Sequence, residues 1–209
     1  LWIHSVDANQ PNLPLKSDSS ILMEATTGTI LYEQNSKQLS YPASVTKIAT
    51  AIYAIENAKL NDIVTVSMNA RYAKGTRVYL EAGEQVTLEK LLYGLMINSG
   101  NDAAVAIAEH ISGSEKQFGI DLTNYLIRKT GIQNTNFTNS SGLFDENHYT
   151  TAYDLAKIIQ YAMKNNTFMK FFNAKELRWI GESWDTTIVS HHRMVNGEID
   201  YEGVTGGKN

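Results

Sequence analysis

Cysteine is absent from the 209 residues. Its absence excludes a disulfide scaffold, a thiol nucleophile and a cysteine zinc site, and leaves the compartment open. A surplus of positive charge is missing as well. Eighteen Lys and Arg stand against 22 Asp and Glu, for a net charge of -4. No basic patch stands out, so nucleic acid is not an expected partner. Long apolar runs are also lacking. Residues 48–55, interrupted by Ala and Thr, and residues 91–97 are the longest. Both fall far short of the roughly 20 residues that cross a bilayer. No leader is visible, so export would require one that has been removed.

What is present suits an ordinary globular domain. Hydrophobic residues make up 43% and charged residues 19%, enough apolar material for a core that needs no metal or disulfide. Residues 1–20, with Pro11 and Pro14, read as a polar lead-in arm, and 21–209 as one domain. Residues 21–25 and 30–33 flank Thr26-Thr27-Gly28-Thr29 and predict a hairpin. Ile48, Ala51, Ile52 and Ile55 recur at helical spacing behind Pro42, so a helix starts near Ser44. A short strand is expected over 63–66. Thr87 looks like the N-cap of a helix that presents Leu88, Leu91, Leu92 and Leu95 on one face. Asn98-Ser99-Gly100-Asn101 breaks that helix, and a second runs over 102–111. A third, from Ser114, ends at Gly131. Thr151 with Asp154 resembles a capping box for a helix through Ala162. Strands are expected over 177–180, 186–189 and 201–205. Strands at both ends and helices between them predict an α+β fold, with one antiparallel sheet built from both ends.

Three short segments could carry chemistry. In Ser44-Val45-Thr46-Lys47, positions i and i+3 share a helix face, so Lys47 reaches Ser44. A hydroxyl is a weak nucleophile until something accepts its proton. An apolar setting would lower the Lys47 pKa and let it act as a base. Ser44 at a helix start also meets unpaired N–H groups that favour developing negative charge. The plainer reading is an N-cap serine with an exposed lysine, but a lysine in the first turn opposes the helix dipole. Ser99-Gly100-Asn101 places a hydroxyl and an amide between two helices, or is a mere connection. Gly206-Gly207-Lys208-Asn209 allows close backbone approach beside a lysine able to hold a carboxylate, or is a solvated turn. Ser-x-x-Lys, then Ser-x-Asn, then a late Lys is the order found in β-lactamases and penicillin-binding proteins.

From about Ile21 to Asn209 the chain resembles the D-alanyl-D-alanine carboxypeptidases of the low-molecular-weight penicillin-binding protein family. The matching stretches are Tyr41 to Lys47, Ile97 to Ala104, Asn139-Ser140-Ser141-Gly142-Leu143, His148 to Ala156, and Tyr201 to Lys208. The resemblance implies a β-lactamase/transpeptidase-like fold, an antiparallel sheet packed by helices with a mostly helical lobe. It implies that Ser44 is the nucleophile, that Lys47 takes its proton, and that Ser99 relays protons. Asn101 would bind the substrate amide, and Lys208 with Asn209 the terminal carboxylate. The implied substrate is a peptidoglycan stem peptide ending in D-Ala-D-Ala, with β-lactams as covalent inhibitors and no cofactor or metal. The implied location is outside the bacterial cytoplasmic membrane, with peripheral attachment through a C-terminal region beyond this sequence.

The chain departs from the family pattern at its end. Asn209 stands where the family usually has Thr, and no Gly follows, so we expect a domain cut short. An asparagine amide still donates to a carboxylate. The backbone N–H that would complete the oxyanion hole lies further on, and losing one such donor typically costs about 10²–10³ in rate. Two alternatives stay open. A class A β-lactamase would carry Glu-x-x-Leu-Asn after the Ser-x-Asn motif, which is absent, and would hydrolyse penicillin rapidly rather than slowly. A non-catalytic wall-binding domain would keep the fold without the reaction. His191-His192 lacks further metal ligands at useful spacing, and His148 reads as structural.

Overall fold

The computed structural model describes residues 13–200 and 202–209. Its centre is a helix, α1 (Thr46–Asn57), in which every residue from Thr46 to Ala54 is buried. A helix buried all round must be enclosed by others. Here α1 packs against α3 (Leu88–Ile97), α4 (Asn101–Ser112), α5 (Glu115–Thr130), α6 (Ala152–Ala162) and α7 (Asn166–Phe172). Ala49, Ala51 and Ala54 let these neighbours approach, and Ile48 and Ile52 fill the space between them. Full burial of each isoleucine contributes about 1.5–3 kcal/mol. That stabilisation is what lets the same helix carry a buried amine.

The helix ends follow local chemistry. Thr87, Ser114, Thr151 and Asn165 each accept a backbone N–H three residues on and so cap α3, α5, α6 and α7. Gly113 and Gly131 end α4 and α5 in the left-handed region. The expected box at Thr151 is only half formed. Asp154 turns away from the cap and accepts from Asn134 N–H (2.8 Å) and Thr135 Oγ1 (2.7 Å), tying the 134–135 loop to α6.

Among the described residues, three two-stranded antiparallel sheets flank the helices. They are β1 (Ser20–Met23) with β2 (Ile30–Gln34), β3 (Ile63–Thr65) with β4 (Gln85–Thr87), and β5 (Glu176–Ile180) with β6 (Asp185–Val189). A short helix, α2 (Met68–Arg71), follows β3. Among the described residues the terminal strands do not join, which corrects the expectation of one sheet built from both ends. The physical reason lies in the tail. Tyr201 is outside the described residues, and 202–209 form no ladder. The tail docks instead on the end of α7, with Gly207 N–H reaching the Phe172 carbonyl at 3.4 Å. On the other flank Trp179 of β5 is fully buried over Gly94 of α3. A Cβ at position 94 would come within 3.0 Å of that indole.

No helix among the described residues is long and apolar enough to cross a membrane.

Candidate active site

The helix expected to start near Ser44 begins at Thr46, and Ser44 lies on a 3-10 turn (Ala43–Val45) that leads into it. Lys47, three residues on in the first turn of α1, lies on the same face as Ser44. Its Nζ is 3.2 Å from Ser44 Oγ. Ala43, immediately before the serine, sits at φ +48°, where an L-residue is strained by about 1–2 kcal/mol. The strain is maintained from outside. Gly142 (φ +83°) packs on the Ala43 carbonyl so closely that a Cβ there would lie 1.8 Å from the oxygen.

Lys47 is fully buried. Its Nζ donates to the Ser141 carbonyl (2.8 Å), which with Ser44 fixes its direction. Burial, and then the Lys208 ammonium, push its pKa from 10.5 down to about 7, against the pull of Glu115 and Asp102. That shift amounts to about 5 kcal/mol against the charged form. The amine is therefore a base near neutral pH, held against a hydroxyl.

The loop that receives Lys47 is built from side-chain hydrogen bonds. Asn139 Oδ1 accepts from the N–H groups of Ser141 (3.2 Å) and Gly142 (2.8 Å). Thr50 Oγ1 donates to the Ser140 carbonyl (2.7 Å). His148 fixes the other side. Its Nδ1 accepts from Thr138 N–H (3.0 Å), so its Nε2–H donates to Thr46 Oγ1 (2.8 Å). This is a neutral imidazole, and burial holds its pKa down at about 4. The unfolded chain therefore binds a proton that the folded chain refuses between pH 6.5 and about 4. Stability should fall as pH drops through that window, by on the order of 3 kcal/mol at its foot. Thermal melts of wild type and His148→Gln across it should converge at low pH; parallel curves would contradict this role.

The second segment is bent sharply. Ser99 sits at φ +56° between α3 and α4, and its neighbours staple the 74–80 loop. Asn98 Nδ2 donates to the Arg77 carbonyl (2.9 Å), Asn101 N–H to Thr76 (2.7 Å) and Asn101 Nδ2 to Lys74 (2.6 Å). Asp102, wholly buried, accepts from Val78 N–H (3.0 Å) and Leu80 N–H (3.1 Å).

The third segment meets the second. Lys208 Nζ donates to Ser99 Oγ at 2.9 Å, and burial lowers its pKa to about 8. Both glycines before it are forced by close approach. A Cβ on Gly206 would strike the Phe172 ring and Asn173, and one on Gly207 the His192 ring at 2.5 Å. Asn209 is exposed, with its amide donating to the His191 carbonyl (2.8 Å). Lys47 thus pairs with Ser44 and Lys208 with Ser99, and the Lys208 charge acts on Lys47. Asn101 turns its N–H groups to the loop, and Asn209 turns its own to His191.

The motif reading assigns no role to Glu115, Ser140, Ser141 or Asp102. The signal for three of them is present, because Ser140, Ser141 and Asp102 lie in stretches quoted for the resemblance. Glu115 has no signal beyond an acid in a first helical turn.

A family model described as D-alanyl-D-alanine carboxypeptidase matches residues 5–208. D-alanyl-D-alanine carboxypeptidase DacF of Bacillus subtilis strain 168 is 37% identical over 200 residues, 92% of this chain and 50% of that protein. Two crystal structures are similar in fold. The carboxypeptidase DacD from Francisella tularensis superposes with a TM-score of 0.79 at 30% identity, covering 92% of this chain and 48% of the other. The D-alanyl-D-alanine carboxypeptidase from Mycobacterium tuberculosis H37Rv gives 0.87 at 25% identity, covering 96% of this chain and 75% of the other. The chain spans about half the length of the curated relatives it matches.

Proposed function

Because the chain belongs to the D-alanyl-D-alanine carboxypeptidase family, we propose that it carries the acyl-transfer machinery of a serine D-Ala-D-Ala carboxypeptidase. One observation above all supports this: a buried amine with a pKa near 7, held 3.2 Å from a half-buried serine hydroxyl.

On this reading Lys47 takes the Ser44 proton as Oγ attacks the carbonyl carbon of the penultimate D-Ala. The Ser44 N–H belongs to the first turn of a helix start, where N–H groups lack intrahelical partners, and faces the developing oxyanion. The C–N bond breaks and the departing D-Ala amine takes a proton passed through Ser99. Lys208, hydrogen-bonded to Ser99, holds the substrate's terminal carboxylate. Asn101, whose N–H groups are engaged, offers its Oδ1 to a substrate N–H. Water then attacks the Ser44 ester, releasing the shortened peptide and restoring the hydroxyl. Penicillins, which present a strained amide and a carboxylate with similar spacing, would acylate Ser44 and leave slowly. The working location is the outer face of the bacterial cytoplasmic membrane or the periplasm and cell wall.

The test is D-Ala release from a peptide ending in D-Ala-D-Ala, followed by mass spectrometry. Ser44→Ala should abolish release and covalent penicillin uptake. Release that survives this substitution would refute the serine mechanism.

A further inference from the structure

We propose that Glu115 is a positioning residue for acylation: it holds the 140–142 turn, and through the Ser141 carbonyl keeps the Lys47 amine aimed at Ser44. This rests on the acyl-transfer reading above and adds a residue that the reading does not use.

Glu115 opens α5, yet its carboxylate does not serve that helix, whose cap is Ser114. Both oxygens reach across to Ser140. Oε2 accepts from Ser140 N–H at 3.1 Å, and Oε1 accepts from the Ser140 hydroxyl. Ser140 is fully buried and Ser141 nearly so. The turn therefore has two anchors. Thr50 and Lys47 of α1 pull on its carbonyls, and Glu115 of α5 pulls on the opposite side. Without the second anchor, the Ser141 carbonyl loses the support that fixes where Lys47 points. Near-attack geometry is sensitive at this scale: a displacement of about 1 Å can cost about 10²-fold in rate.

Glu115 also bears on the amine through its charge. Lys47 faces Lys208 from the tail, Glu115 from α5 and Asp102 from α4. Glu115 in turn faces Lys47 and Glu109. A carboxylate near the amine favours the ammonium, so removing the negative charge makes Lys47 a free base at lower pH.

Charge and geometry can be separated. Glu115→Gln can keep both hydrogen bonds, with its Oε1 accepting from Ser140 N–H and its amide donating to Ser140 Oγ. Glu115→Ala loses both. Acylation by a chromogenic cephalosporin is followed by stopped flow from about pH 5 to 9, with fold checked by circular dichroism. Glu115→Gln should shift the acidic limb of the rate profile to lower pH and leave the plateau within about threefold. Glu115→Ala should lower the plateau by roughly ten- to a hundredfold. Ser140→Ala keeps the charge and loses one hydrogen bond, so its limb should stay in place while its plateau falls several-fold. It decides the question if neither Glu115 variant folds. A wild-type burst at Ser44 with limb and plateau unchanged in the folded variants would overturn the role of Glu115 alone. No wild-type burst would overturn the acyl-transfer reading beneath it.

Discussion

Lys47→Met should lower the rate of Ser44 acylation by about 10²–10⁴ while leaving thermal stability level or higher. The two effects separate because they come from different properties of one side chain. The rate needs a proton acceptor 3.2 Å from the hydroxyl, and methionine has none. Stability, by contrast, suffers from the amine. Lys47 is fully exchanged from water into protein, and replacing a buried charged group with an apolar one of similar length is often neutral or stabilising. The counter-term is the Ser141 carbonyl, which loses its 2.8 Å partner at a cost of about 1 kcal/mol. The sign with pH follows from the lowered pKa. Between about 7 and 10.5 the unfolded chain binds a proton on Lys47 that the folded chain does not. Wild-type stability should therefore climb with pH across that window. The stability advantage of Lys47→Met should be greatest at pH 7 and below, and should shrink towards pH 10.5. Melts and acylation rates on the same two proteins check both halves. A variant that loses activity only because it unfolds would contradict the assignment.

Gly142→Ala should damage both properties at once. Two independent penalties meet at this position. Its φ of +83° lies where an L-residue is strained. Its absent Cβ would also fall 1.8 Å from the Ala43 carbonyl oxygen and 2.3 Å from its carbon. Those are backbone atoms next to Ser44, so no side-chain rotation relieves the clash. The 140–142 turn must retreat from α1, or Ala43 and Ser44 must move. Either takes Lys47 out of line with the hydroxyl. We expect a loss of about 4 kcal/mol or more and a fall in acylation of at least about 10²-fold. Denaturant melts and burst kinetics are the measurements. A Gly142→Ala protein with wild-type values of both would show that the turn does not hold the site.

These predictions mark where sequence reading succeeds and where it stops. Local chemistry was legible wherever one segment decides the outcome. The caps at Thr87, Ser114 and Thr151, the glycine ends at Gly131, and the hairpin around Gly28 all depend on residues within a few positions of each other. The pairing of Ser44 with Lys47 is legible for the same reason, since three residues of one turn place them together. Non-local effects were not legible. The strand Gln85–Thr87 exists only because Ile63–Thr65 pairs with it, and α7 was missed because Phe168 and Phe171 crowd into a seven-residue segment too short to show a period. The expected strand over 201–205 fails among its described residues, because the glycines that follow thread between His192 and Phe172 instead of pairing. At the site, the motifs name Ser44, Lys47, Ser99 and Lys208 and pass over their partners. Ser141 accepts from Lys47 through a backbone carbonyl and Glu115 reaches Ser140 from 25 residues away, and neither contact is one that spacing can reveal. Asn101 and Asn209 were named from the same motifs, yet their amides bond to backbone carbonyls of neighbouring segments.

The pH dependence of penicillin acylation, with the adduct located by peptide mapping, bears most directly on whether a lysine base drives Ser44. The rate should climb through pH 7 as the Lys47 amine loses its proton, and should decline above about pH 8 as Lys208 loses the charge that holds a carboxylate. The added mass should sit on the peptide containing Ser44. A rate that is flat across this range, or a label on any other residue, would contradict it.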